Sequence, residues 1–329
     1  MNSVKIGIIG TGRIAERFVK DVSKLKEIEV RIVYNPHIDS AIEFSKQFEN
    51  IMVADNLEEF MNRCNIVYIA SPHETHYAYI GTAIRKNKHV ICEKPMFLSC
   101  QEARDMLRLA KERKRYLVEA IKTKYCPGYK KLLQVVGEKP IGDIKDVEAC
   151  FTKLEGVNTR ELTNTQYGGS FRELASYCLL PVYDLLGNNY KDIRFLHIDN
   201  ELGIDTYTKL LIDYGNKFAT VKVGLGVKSE GQLIISGTKG YIIVQAPWWK
   251  TSHFEVHYED PTDVQIYDIP YVGEGLTYEI NELLQRIKYN KDIYVNESQI
   301  LFMAALMEKF ENYRRGIASK LPEELVCPN

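Results

Sequence analysis

The sequence begins with a short apolar run that ends in two closely spaced glycines. Val4-Lys5-Ile6-Gly7-Ile8-Ile9 leads directly into Gly10-Thr11-Gly12-Arg13-Ile14-Ala15. A β-branched run of this length reads as a buried parallel strand. The glycines permit a tight turn and a close approach of backbone to a ligand, and Ala15 lets the next helix pack near the strand. Phe18, Val19, Val22 and Leu25 give that helix an apolar face. Its first N–H groups and its dipole favour a pyrophosphate. Strand, turn and helix in this order form a dinucleotide fingerprint, with Gly10, Thr11, Gly12, Arg13, Ile14 and Ala15 as the binding turn. A glycine turn alone also serves plain packing, so the flanking elements carry the reading.

At 329 residues the chain suits one large or two medium domains, each burying its own core. The net charge of −1 offers no field for nucleic acid or an anionic membrane surface. No apolar run approaches the roughly 20 residues that span a bilayer. The chain enters a strand at once, which reads as no signal peptide. The seven cysteines, at 64, 92, 100, 126, 150, 178 and 327, form no C-x-x-C pair. That pattern argues for reduced thiols in the cytoplasm and against a metal site. Cys92, after Val90-Ile91, reads as a small core hydrophobe.

Residues 1–120 alternate short apolar strands, at 4–9, 29–34, 51–53, 66–70, 89–92 and 116–119, with helical patterns at 39–48, 75–87 and 99–114. Alternation of this kind implies right-handed crossovers and a doubly wound parallel sheet, a Rossmann domain over 1–121. The second half changes character. After a helix near 127–137, strands rich in Ile, Val, Thr and Tyr follow in series at 144–153, 193–200, 205–213, 218–226, 231–236 and 240–245. Turns such as Tyr214-Gly215-Asn216-Lys217 and Gly237-Thr238-Lys239-Gly240 join them. Helices near 276–290 and 297–315 end the chain. Residues 122–329 therefore read as an α+β domain with a large, mostly antiparallel open sheet. One face of such a sheet needs helices and the other meets water or a partner. Tyr207, Leu211, Val221 and Val223 are expected to give that open face apolar surface.

In a doubly wound fold, ligands sit at the carboxyl ends of the strands where the order switches. The glycine turn, the segment Ser71-Pro72-His73-Glu74-Thr75-His76 and the segment Glu93-Lys94-Pro95 should meet there. Pro95 fixes the backbone beside Lys94 and aims its ammonium at the crevice. An ammonium so placed can hold a substrate hydroxyl and help relay its proton. The plainer reading is a surface lysine paired with Glu93. His76 faces the same crevice, as a catalyst, a helix cap or a contact to the nicotinamide ribose. A hydrogen-bonded structural histidine is the commoner outcome. His73 and His76 have no third ligand at a spacing that holds a metal.

These motifs together resemble the glucose–fructose oxidoreductase / inositol dehydrogenase / rhizopine-catabolism (Gfo/Idh/MocA) family. The matching pieces are Gly10-Thr11-Gly12-Arg13-Ile14-Ala15, Ser71-Pro72-His73-Glu74-Thr75-His76 and Val90-Ile91-Cys92-Glu93-Lys94-Pro95. Further matches follow in order at Glu119-Ala120 with Pro127, Ile141-Gly142-Asp143-Ile144, Tyr167-Gly168-Gly169-Ser170, 236–242 and 273–279. The resemblance covers nearly the whole chain, and Glu-Lys-Pro after a fifth strand is its most specific piece. It implies a cofactor-contacting set that adds Ser71, Pro72, His76, Glu93 and Lys94 to the glycine turn. It also implies a second catalytic segment, Gly-Gly-Gly-x-Leu-x-Asp-x-Gly-x-His or Tyr, which here reads Gly168-Gly169-Ser170-Phe171-Arg172-Glu173-Leu174-Ala175-Ser176-Tyr177. Positions i and i+4 share a helix face, so Glu173 and Tyr177 can address one substrate. Tyr177 then resembles the acid/base of the dihydrodiol dehydrogenase-like branch. A free phenol titrates near about 10, so a neighbouring cation such as Lys94 would assist it. A buried structural tyrosine is the competing reading.

Two positions depart from the family pattern. Glu173 replaces Asp, adding a methylene in chemistry sensitive to such displacements. Leu180 stands where many members carry an acid or amide. The cofactor is NAD or NADP: β-strand two ends at Tyr34-Asn35-Pro36-His37, with neither the acid of NAD enzymes nor the Ser-Arg of NADP enzymes. Asn35 can hydrogen-bond a ribose without repelling a phosphate, and Arg13 and His37 could approach a 2′-phosphate, the plainer reading being two solvated side chains. The leading expectation is an NAD(P)-dependent oxidoreductase acting on a secondary alcohol or ketone of a sugar, cyclitol or polyol. Lys94, Tyr177 and Glu173 would be catalytic, no metal would be needed, and the enzyme would be a cytoplasmic homodimer or dimer of dimers. The alternative is a cofactor-binding sensor or regulatory protein of the same fold with impaired catalysis.

Overall fold

The computed structural model describes residues 3–291 and 297–317, so Cys327 lies outside the described residues. Contacts group the chain into two units: residues up to Lys122 with Val272–Ala304, and Thr123–Tyr271 with the chain from Ala305.

The first unit runs β1 (Val4–Ile9), α1 (Arg13–Val22), β2 (Ile28–Tyr34), α2 (Ile38–Ser45), β3 (Met52–Val53), α3 (Leu57–Asn62), β4 (Ile66–Ile69), α4 (His76–Arg85), β5 (His89–Glu93), α5 (Cys100–Glu112) and β6 (Leu117–Ala120). Its six strands are parallel and ordered β3-β2-β1-β4-β5-β6, so the order reverses between β1 and β4. β4 is buried along its whole length, as a strand covered on both faces must be. The doubly wound sheet is as expected. The short helix α3 is an addition. Asn56 caps it, its Oδ1 accepting the Glu59 N–H at 2.9 Å.

The chain continues through α6 (Lys122–Tyr125), α7 (Pro127–Gly137), β7 (Ile144–Thr152), α8 (Arg160–Thr163), α9 (Ser170–Leu186), β8 (Asp192–Asp199), β9 (Asp205–Asp213), β10 (Phe218–Gly224), β11 (Leu233–Gly237), β12 (Gly240–Val244), β13 (His253–Tyr258) and β14 (Val264–Asp268). Two helices follow, α10 (Leu276–Lys288) and α11 (Glu297–Arg314). The second sheet has eight strands in the order β14-β13-β12-β11-β7-β10-β9-β8. β7 and β10 are parallel, and the other neighbours are antiparallel. β13 and β14 were not anticipated. His253-Phe254-Glu255-Val256-His257 alternates polar with apolar and lacks the continuous apolar run that marks the other strands.

Helix α9 packs across β7, β9 and β10. Their inward residues include Leu210, Ile212, Ala219, Val221 and Val223, all buried. This corrects the expectation for Val221 and Val223, which belong to the helix-covered face. With a side-chain period of two, the open face takes the alternate positions. Tyr207 and Leu211 do lie there, half-buried and exposed respectively.

The second correction concerns the domain boundary. Helix α10 follows the second sheet in sequence but packs on α1. The Leu276 N–H donates to Asp21 Oδ2 at 3.1 Å, so an acid of α1 starts α10. Residues 122–329 are therefore not one continuous unit.

Candidate active site

In the first unit the glycine turn has the expected local form. Gly10 adopts φ +100, and a Cβ there would lie 2.5 Å from the Ala70 carbonyl oxygen. Only glycine fits that approach. A Cβ at Gly12 would meet nothing within 4 Å, so the start of α1 opens onto free space. No side chain caps the helix there. The turn is a cradle for an anion, as required of a dinucleotide site. Asn35 donates from Nδ2 to Thr11 Oγ1 at 2.7 Å and accepts the His37 N–H at 2.9 Å. It thus ties the end of β2 to the turn. Arg13 and His37 are both exposed beside it.

The segment after β4 is held by its own contacts. Ser71 Oγ and Thr75 Oγ1 are 2.7 Å apart, and Pro72 is exposed. His76 is buried, with Nε2 at 3.0 Å from the Ser71 carbonyl oxygen and Nδ1 at 3.0 Å from that of Pro95. Both ring nitrogens face a backbone carbonyl oxygen, and the neutral ring, with one N–H, donates to one of the two. Burial lowers its pKa to about 4, and the Lys94 charge adds to the shift against the pull of the two carbonyls. The imidazole is a neutral clamp between the two loops. No group of three His, Cys, Asp or Glu among the described residues could hold a metal.

Between Val90 and Phe97 every residue is buried except Lys94. The Lys94–Pro95 peptide is cis. Glu93 turns inward: it is 7% exposed, and its Oε1 accepts the Tyr68 hydroxyl at 2.5 Å. Burial raises its pKa while the Lys94 and Lys122 charges and the Tyr68 hydroxyl oppose the shift.

In the second unit, α9 carries the other candidates. Between Ser170 and Val182 only Glu173 and Tyr177 escape burial. They stand one turn apart and open to the same side. Leu180 is fully buried, so its departure from the family pattern is a packing residue. Pro181, inside the helix, supplies no N–H to the Tyr177 carbonyl. Beside Tyr177 lies an aromatic wall missed in the sequence. Phe151 stacks on Trp249 with ring centroids 3.6 Å apart, and the Phe151 and Tyr177 rings are 5.2 Å apart. The Trp248-Trp249 pair was its one sequence signal. Trp248 is buried and donates to the Cys150 carbonyl at 2.8 Å, leaving Trp249 half-buried.

Residues 4–120 match the family described as "Oxidoreductase family, NAD-binding Rossmann fold", Gfo/Idh/MocA. Over nearly its whole length the chain is similar to oxidoreductases of the Gfo/Idh/MocA type. Over 98% of its length it is 27% identical to trans-1,2-dihydrobenzene-1,2-diol dehydrogenase of Sus scrofa, covering 99% of that protein. It is 25% identical to the NADP-dependent scyllo-inositol 2-dehydrogenase of Bacillus subtilis, over 88% of this chain and 89% of that one. A 3-ketoreductase from Actinomadura kijaniata, crystallised with NADP, has the same fold at TM-score 0.82 and 18% identity, covering 93% of this chain and 96% of that one. The protein is an NAD(P)-dependent oxidoreductase. The residues present fit that cofactor: the uncapped start of α1 at Gly12 is open, as a pyrophosphate would require, and Asn35, tied to the glycine turn at the end of β2, would be the residue offered to a ribose.

Proposed function

We propose that this enzyme moves a hydride between its cofactor and the secondary alcohol or ketone carbon of a sugar, cyclitol or related polyol. Lys94 and Tyr177 handle the hydroxyl proton, and Glu173 orients the substrate. The observation that carries this reading is the pattern of burial. Lys94, Glu173 and Tyr177 are the positions left open in two otherwise buried stretches. Their polar ends stay accessible to a ligand while the neighbours on each element are packed away. The bound nicotinamide supplies or accepts the hydride at C4. Lys94 presents an ammonium to the substrate oxygen and stabilises negative charge on it. Tyr177 gives or takes the proton of that oxygen as its bond order changes. Trp249 and Phe151 form an apolar wall suited to the C–H face of a ring and keep water away from Tyr177. The dihydrodiol and inositol dehydrogenases it resembles act on ring diols and cyclitols, which supports this substrate class.

The test is a nicotinamide absorbance assay across a polyol and sugar panel, followed by two substitutions. Lys94→Ala and Tyr177→Phe should each lose at least ~100-fold in turnover while still binding cofactor. The double variant should be little worse than either alone, because the two act as one unit. Near-wild-type turnover by Tyr177→Phe would remove the phenol from the mechanism.

We infer that the working form is a cytoplasmic homodimer or dimer of dimers, joined through the open face of the second sheet. The pairing Ile198↔Tyr207, Arg194↔Leu211, Phe218↔Asp213 and Glu255↔Ile266 puts these side chains on that face. Ile198, Phe218 and Ile266 are 58%, 55% and 60% exposed, which is more than a solvated sheet face requires. Buried free thiols at Cys64, Cys92, Cys100, Cys126, Cys150 and Cys178 agree with a reducing compartment.

A further inference from the structure

Helix α9 bears Glu173 and Tyr177 but does not supply its own cap. Its cap position is Gly169, at φ +116 and without a side chain. The cap comes from Asp205, the first residue of β9. Asp205 Oδ2 accepts the Phe171 N–H at 2.8 Å and the Thr208 hydroxyl at 2.8 Å. Oδ1 accepts from Arg314 Nη1 at 3.3 Å, and the Asp205 carbonyl accepts the Ser170 hydroxyl at 3.0 Å. The residue is 0% exposed, and a Cβ at Gly169 would collide with its Oδ1. Glycine and aspartate are thus fitted to each other at the head of the helix.

We propose that Asp205 is a positioning residue for the reaction, fixing the first turn of α9 and through it the reach of Glu173 and Tyr177. The proposal rests on the reading of those two residues as the site pair. A carboxylate on the first free N–H groups satisfies them and complements the helix dipole. Its charge is answered by Arg314 of α11 and Arg172 of α9. Arg172 is held in turn by Glu311 of α11 at 2.5 Å and by the Gln166 carbonyl at 2.5 Å, and Arg314 also faces Asp199 at 3.7 Å. Both arginines therefore lose part of their balance when Asp205 takes up a proton, and Oδ2 loses strength as an acceptor for the Phe171 N–H. Glu173 sits two residues beyond that bond. Burial raises the Asp205 carboxyl to about 6 against the pull of its donors, so this loosening falls in an accessible pH range.

The experiment compares wild type, Asp205→Asn and Thr208→Val for turnover against pH, with NADPH affinity and amide hydrogen exchange alongside. Asp205→Asn keeps the shape and mimics the protonated acid. It should bind NADPH within about twofold of wild type, since the glycine turn is untouched, and lose ~10-fold in kcat with little change in KM. Its kcat should be flat through the acid limb that wild type shows near pH 6. Thr208→Val removes one donor from Oδ2 and should move that limb to higher pH. Hydrogen exchange should quicken at Phe171–Glu173 in Asp205→Asn and stay unchanged in β5. Turnover of Asp205→Asn within twofold of wild type, or an acid limb unmoved in both variants, would overturn the proposal. If wild type turns over no member of the panel, the functional reading fails by itself. Exchange at Phe171–Glu173 then decides alone: quickened, it supports the cap, and unchanged, it overturns it.

Discussion

The Nδ1 atom of His76 lies 3.0 Å from the carbonyl oxygen of Pro95, joining the start of α4 to the segment that presents Lys94. Its Nε2 makes the same approach to Ser71. The pKa of this buried ring falls from 6.5 to about 4. In the unfolded chain it regains its ordinary value, so between these limits the unfolded state binds more protons. Stability is therefore full above about pH 6.5 and drains away as the pH falls towards 4, by about 3 kcal/mol for this group. His89, lowered to about 4 by burial, adds a loss of the same sign. Denaturant titrations of His76→Gln at pH 7.5 and pH 5 should show a smaller acid loss than wild type. An equal loss in both proteins would mean that the ring does not hold its neutral state.

Glu279 shows the opposite sign. It is 0% exposed on α10, and neither carboxyl oxygen has a hydrogen-bond partner among the described residues. Burial, aided by the charges of Glu93 and Asp21, pushes its pKa well above the carboxylate range despite Lys122. The folded protein keeps a proton that the unfolded chain releases, so stability falls as the pH rises from about 4.5. Glu279→Gln, already neutral, should melt higher than wild type at pH 8, with the gain vanishing near pH 5. A lower melting temperature at pH 8 would show an ionised, ion-paired Glu279 instead.

Gly12→Asp tests the cradle. The new side chain meets no protein atom, since nothing lies within 4 Å of its Cβ, so the fold should survive. Its carboxylate would stand where the pyrophosphate binds, and NADPH affinity by fluorescence titration should fall at least ~100-fold, roughly the worth of two to three kcal/mol. Affinity within twofold of wild type would place the cofactor elsewhere.

Phe218→Asp tests self-association. Phe218 is 55% exposed at the start of β10, so a charge there costs the folded monomer little. Buried in a pair of sheets, the same charge would be unpaired and costly. Sedimentation at micromolar concentration should show assembled wild type and monomeric Phe218→Asp. Assembly of both would put the interface on another surface.

The parallel strands and the glycine turn were legible because continuous apolar runs and a fixed glycine spacing are local signals. Lys94 was legible for a similar reason: Glu93 and Lys94 interrupt the apolar run Val90–Phe97, and of that stretch Lys94 alone is not buried. Glu173 and Tyr177 came from motif resemblance, and burial then separated them from the neighbours on their helix. Asp205 and Trp249 were illegible. Asp205 meets Phe171 across 34 positions of sequence, and Trp249 meets Phe151 from another strand connection, so neither partner leaves a local trace. His76 was visible, but whether its ring met a ribose or two carbonyls was a matter of tertiary placement. The domain boundary failed on α10, whose amphipathic pattern records that it packs and not on what.

That return of the chain has a consequence during synthesis. When residue 122 leaves the ribosome, all six strands of the first sheet exist, yet the helix started by Asp21 does not. The apolar surface that Leu276, Ile280 and Leu283 will cover must wait for another 150 or so residues, on the order of ten seconds or more at usual elongation rates. A nascent chain of this design is open to chaperones through that interval. A fragment cut at Lys122 would carry the same exposed patch permanently and should aggregate, however well its glycine turn is formed.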